Sequence, residues 1–103
     1  WTKNQIEDQA YLSISVISRI EVLSFPGLAG SALYEIEQFL DLFNTIGLSD
    51  EVVHLATDLR RSINLSLPDS IIAASAISRR ATLVTNDKVL ARQIKSLTPI
   101  LSL

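Results

Sequence analysis

From Tyr11 to Ile17 apolar and small polar residues alternate at a period of two, ending in the β-branched pair Val16-Ile17. That pattern predicts a strand over Leu12 to Ile17. Ser18 then stands three residues before Glu21, with Ile20, Val22 and Leu23 around it, a Ser-x-x-Glu capping box that predicts a short helix from Ser18, broken at Pro26-Gly27. The strongest helical periodicity follows. Leu33, Ile36, Phe39, Leu40 and Phe43 recur on one face and Glu35, Glu37, Gln38 and Asp41 on the other, giving a helix from an N-cap at Ser31 to Asn44 with Gly47 as its stop. Thr45 to Leu48 suits an edge strand.

Ser49-Asp50 caps a further helix, Asp50 to Arg61, carrying Val52, Val53, Ala56 and Leu59. Asn64 to Leu67 reads as a loop. Pro68 opens the next helix, where its missing N–H costs nothing, and Ile71, Ile72, Ala74, Ser75 and Ala76 form a small-residue face. Ala81 to Thr85 reads as a buried strand, Asn86-Asp87 caps a last helix to about Lys95, and Thr98 to Leu101 reads as a final strand. Upstream, Lys3 to Ala10 is polar around Ile6 and resembles the tail of a surface helix. Strands alternating with helices imply an α/β fold, a three-layer α/β/α sandwich around a mostly parallel sheet.

The 103 residues suit one domain, residues 1–103, and with 48% apolar against 19% charged residues the chain can bury a core. Nine basic against eleven acidic side chains give a net charge of -2. Any nucleic-acid contact must therefore come from a local site and not from bulk charge. Leu65 to Ser78 is uncharged apart from Asp69 but too short to span a bilayer, so no membrane role is expected. With no cysteine, disulfides and thiolate metal sites are excluded, which suits a reducing, cytoplasmic setting. The chain holds no methionine and begins at Trp1, so it is expected to be a fragment lacking an N-terminal segment.

Three acids stand out by position. Glu21 follows the first strand, Asp69 lies in the first turn of the helix opened by Pro68, and Asp87 starts the helix after strand Ala81 to Thr85. In a parallel sheet such helix starts gather along one edge, so the topology is expected to bring the three carboxylates together. Clustered carboxylates repel unless a cation neutralises them, and Mg²⁺ or Mn²⁺, preferring oxygen ligands, would do so. Such ions serve phosphoryl transfer.

Ile14-Ser15-Val16-Ile17-Ser18-Arg19-Ile20-Glu21, Leu67-Pro68-Asp69-Ser70-Ile71-Ile72-Ala73-Ala74 and Leu83-Val84-Thr85-Asn86-Asp87 resemble, in order and spacing, the second, third and fourth acidic motifs of PIN domains, and above all of VapC-like toxins of prokaryotic toxin–antitoxin pairs. The resemblance implies a Mg²⁺- or Mn²⁺-dependent endoribonuclease acting on RNA, with Glu21, Asp69 and Asp87 as catalytic metal-site acids and Thr85 and Asn86 orienting the site. It also implies a homodimer and an antitoxin protein as partner. The family begins with a central strand ending in a further Asp, which this chain lacks before Trp1, so the chain alone is expected to be inactive or very weak. With that strand missing, the flanking strands Leu12 to Ile17 and Ala81 to Thr85 are expected to close up and pair or to accept a donated strand, because unpaired buried backbone groups cost about 1–3 kcal/mol each.

Each acid also has a plainer reading. Glu21 can serve the capping box of Ser18, Asp69 the helix dipole, and Asp87 or Asn86 an ordinary N-cap. Arg60-Arg61 and Arg79-Arg80 read as helix-end charges, Lys88, Arg92 and Lys95 as a solvated stripe, and His54 as a lone surface histidine. Phe39 and Phe43 read as core. The alternative to a nuclease is a non-catalytic α/β protein-interaction module that works through its surface.

Overall fold

The computed structural model describes residues 13–102, so the surface helix expected at Lys3 to Ala10 lies outside the described residues. The chain divides into two compact units at Ile46 and Gly47. Both are α/β, built from helices and short parallel strands.

In the first unit, strand β1 (Ser13–Ser15) leads into helix α1 (Val16–Leu23), helix α2 (Gly30–Leu40) and strand β2 (Asn44–Ile46). The strands run parallel in the register Ser13↔Asn44, Ile14↔Thr45 and Ser15↔Ile46, as a helical crossover requires. The first helix begins three residues earlier than the capping box predicts. Ser15 is the N-cap, extended at φ -63 and ψ 143, and its Oγ accepts from the Ile17 amide at 3.2 Å. Val16 and Ile17 thus belong to the helix although their branched side chains favour a strand, a case of capping and tertiary context outweighing propensity. The second helix ends at Leu40, so Phe43 falls in the turn beyond it, where its amide donates to the Leu40 carbonyl at 3.0 Å. Phe39 and Phe43 meet edge to face at 5.2 Å between centroids. Phe39 is 45% exposed, which corrects its assignment to the core.

The second unit holds helix α3 (Asp50–Ile63), helix α4 (Leu67–Ser78), strand β3 (Leu83–Thr85), helix α5 (Lys88–Ile94) and strand β4 (Ile100–Ser102). Its centre is the packing of α4 on α3. From α3 come the buried Val52, Ala56 and Leu59, and from α4 Ser70, Ile71, Ala73, Ala74, Ser75 and Ala76. Small side chains let two helix backbones approach, and the serines stay dry because their hydroxyls donate back into the helix. Ser70 Oγ donates to the Leu67 carbonyl and Ser75 Oγ to that of Ile71, both at 2.7 Å. Among the described residues no helix is long and apolar enough to cross a membrane.

The end of α4 is a Schellman motif: the Ala81 amide donates to the Ala76 carbonyl at 2.9 Å and the Arg80 amide to that of Ile77 at 3.1 Å. Arg80 occupies the left-handed position at φ 51, where glycine is the usual residue. Arg80→Gly is therefore expected to raise stability by about 0.5–1 kcal/mol, read as a higher urea midpoint.

β3 and β4 form a parallel ladder, Leu83↔Ile100, Val84↔Leu101 and Thr85↔Ser102. Within β3 only Leu83 and Thr85 are half-buried, while Val84 is 44% exposed, so the strand is not buried throughout as its composition suggests. Among the described residues β1 pairs with β2 and β3 with β4 in two two-stranded ladders. The closing-up of the segments Leu12 to Ile17 and Ala81 to Thr85 is thus not found there. Each strand instead pairs with the one that follows its own crossover, a contact closer in sequence and with less loop entropy to lose.

Candidate active site

Glu21 belongs to the first unit and lies in the second turn of α1, exposed to solvent. Since Ser15 caps this helix, Ser18 is an interior residue and the capping-box role for Glu21 disappears. Its carboxylate is not engaged in holding the helix start.

The other two acids belong to the second unit, and each marks a helix N-terminus. Ser66, extended at φ -62 and ψ 161, caps α4, and its Oγ accepts from the Asp69 amide at 3.3 Å. Pro68 sits in the first turn, where no amide is needed. The cap is thus made by Ser66 and by the backbone of Asp69. The Asp69 carboxylate, half-buried, is left without a hydrogen-bond partner among the described residues. The helix dipole favours its negative charge at this end.

Asp87 works differently. Its Oδ1 accepts from the amides of Val89 and Leu90, both at 3.0 Å, and so caps α5. Its own amide donates to Thr85 Oγ1 at 3.0 Å, which fixes the turn from β3 into the helix. Oδ2 has no hydrogen-bond partner among the described residues. Asn86, between them, is exposed.

Asp87→Asn keeps an acceptor at the cap and removes the charge, whereas Asp87→Ala removes both. Asp87→Ala is expected to lower stability by about 1 kcal/mol and Asp87→Asn to stay close to the parent, measured by thermal unfolding.

Carboxylate oxygens free of cap duties are the donors a hard divalent cation prefers, so the residues fit Mg²⁺ or Mn²⁺ in chemistry. Among the described residues no three His, Asp or Glu side chains gather as a group able to hold an ion. The second unit supplies two of the candidate acids and the first unit one. Three residues escaped the sequence reading. Ser66 carries a legible signal, Ser-Leu-Pro-Asp being a capping pattern with proline in the first turn. Ser15 was hidden among three serines at alternate or near-alternate positions. Arg19 acts through contacts far along the chain and left no local signal.

The PIN domain family model matches residues 1–95. Among solved structures the chain is similar to a chain of a toxin-antitoxin complex from Klebsiella pneumoniae, with a TM-score of 0.73 and 26% identity over 87% of this chain and 72% of that one. No curated protein sequence matches it.

Proposed function

Because the chain belongs to the PIN domain family, we propose that it is a metal-dependent endoribonuclease and the VapC-like toxin of a toxin–antitoxin pair. The toxin half of this reading is supported by the likeness to a toxin-antitoxin complex. The nuclease half is carried by one observation: the Asp69 carboxylate stands half-buried at a helix start whose capping is already done by Ser66. An acid placed there with no hydrogen bond to make in the cap has its oxygens available for chemistry.

In this reading residues 1–103 act as one domain, and Glu21, Asp69 and Asp87 would hold Mg²⁺ or Mn²⁺. A bound divalent ion would supply charge neutralisation at the scissile phosphate and a more acidic water. The chain's own part is positional. The N-termini of α4 and α5 place two carboxylates at positive helix ends, Thr85 fixes the backbone on which Asp87 is carried, and Asn86 offers an amide for orienting RNA. Exposed apolar side chains on the first unit, Ile20, Val22, Phe25 and Tyr34 among them, suit a protein partner, and we take that partner to be an antitoxin and a second copy of the chain. The setting is cytoplasmic.

The test is cleavage of single-stranded RNA by the full-length protein freed of partner. Cleavage is expected with Mg²⁺ or Mn²⁺ and is expected to stop in EDTA. Undiminished cleavage in EDTA would sink the metal-dependent reading, and RNA left intact under every ion would favour the interaction module.

A further inference from the structure

Helix α1 is held only partly by packing, with Val16, Ile17 and Leu23 half-buried. It spans eight residues, none of them fully buried, and a helix of two turns is not stable by propensity alone. Two polar attachments add to this packing. One is the Ser15 cap at its start. The other lies at its middle, where Arg19 reaches the end of α2. Nη1 donates to the Leu40 carbonyl at 3.2 Å and Nη2 to Asp41 Oδ1 at 2.8 Å.

Both bonds suit their partners. The Leu40 carbonyl lies at the C-terminus of α2, where it accepts from the Phe43 amide as well, and a cation there meets the negative end of the dipole. The Arg19 side chain is 25% exposed against 61% for Asp41, so its head group is partly withdrawn from water and less screened than an ordinary surface ion pair. The guanidinium holds the two groups through separate N–H donors, a fork that lysine lacks.

Glu21 lies two residues further along the same helix. At 3.6 residues per turn, positions two apart stand about 200° around the axis from each other. The side of α1 that faces the tether is therefore opposite the side from which Glu21 leaves. We propose that Arg19 is a positioning residue: by locking α1 to the C-terminal end of α2, it sets the direction in which the Glu21 carboxylate is offered to a divalent ion. This rests on the reading of Glu21 as a metal ligand. Released from the tether, a helix whose side chains are at most half-buried can rock about its cap and turn the carboxylate from its set direction, and misplacement by about 1 Å is enough to cost roughly a hundredfold in rate.

The experiment compares the full-length protein with its Arg19→Ala, Asp41→Asn, Glu21→Gln and Arg19→Ala/Glu21→Gln forms. Mn²⁺ binding is followed by electron paramagnetic resonance and RNA cleavage is measured alongside. Arg19→Ala is expected to weaken Mn²⁺ binding and cleavage about 10–100-fold, as loss of a group that orients a metal ligand does. Asp41→Asn, which removes only the exposed half of the tether, is expected to act in the same direction more weakly. In the Glu21→Gln background Arg19→Ala is expected to change little further, since the group it positions is already gone.

An equal loss on Arg19→Ala with and without Glu21 would overturn the proposal, because Arg19 would then act by another route. So would Arg19→Ala or Asp41→Asn that binds Mn²⁺ as the parent does while Glu21→Gln is impaired. If Arg19→Ala fails to fold, Asp41→Asn decides. Glu21→Gln that matches the parent in both measurements would instead remove Glu21 as a ligand, a failure of the underlying reading and not of the tether.

Discussion

Asp69→Asn is expected to lower metal-dependent RNA cleavage by at least about a hundredfold while leaving a folded protein. Groups that merely orient a metal ligand cost 10–100-fold when removed, so a ligand itself should cost no less. The substitution keeps size and shape and removes the charge. Helix α4 should tolerate it, because the cap bond runs from the Asp69 amide to Ser66 Oγ and does not use the carboxylate. What is lost structurally is the favourable meeting of an anion with the helix dipole, about 0.3–1 kcal/mol. The measurement is a cleavage rate beside a circular dichroism spectrum and a melting curve. Cleavage within a factor of a few of the parent would remove Asp69 from the metal site.

The largest expected effect on stability is at Ile94→Ala. Ile94 is wholly buried at the end of α5, and its carbonyl accepts from the amides of Leu97 at 2.8 Å and Thr98 at 3.2 Å. Alanine leaves those backbone bonds in place, so the substitution isolates the side chain. Lost transfer energy plus the cavity should cost about 2–5 kcal/mol. Against a total of roughly 5–15 kcal/mol for a domain, such a loss should be plain in urea denaturation as a lower midpoint at similar slope. A shift worth less than about 1 kcal/mol would mean that neighbouring side chains collapse into the space.

The segments that carry the second unit were the most legible. Ser49 and Asp87 cap as their residue types predict, Pro68 marks the first turn of α4, and the small-residue face of that helix is buried. These signals are local, and local chemistry decides them. The sequence pattern puts the start of α1 three residues late, because Ser13, Ser15 and Ser18 can each cap a helix and the choice among them depends on where β1 finds its partner. The periodicity runs past the end of α2, because Phe43 continues the apolar period beyond the point where the backbone turns. Phe39 shows the same limit, its spacing matching a core position while its ring stays largely in solvent. Of the candidate site, the cap of Asp87 and the support from Thr85 follow from residue order. The sparing of Asp69 by Ser66 could have been read from Ser-Leu-Pro-Asp, and the tether of Arg19 could not.

The contrast between the two helix starts bears on how such a chain can decay over generations. In the proposed nuclease, folding and chemistry at α4 would fall to different side chains, Ser66 and Asp69, so drift at position 69 would silence the enzyme without exposing it to the proteases that remove unfolded protein. The silent chain would persist as a decoy, still occupying whatever protein recognises its surface. At α5 the Asp87 carboxylate caps the helix and, in the same proposal, would carry the chemistry as well. Most replacements there weaken the helix as they abolish the charge, so the cell clears more of the product. Inactive descendants that retain their bulk should accordingly carry their lesions more often at position 69 than at position 87.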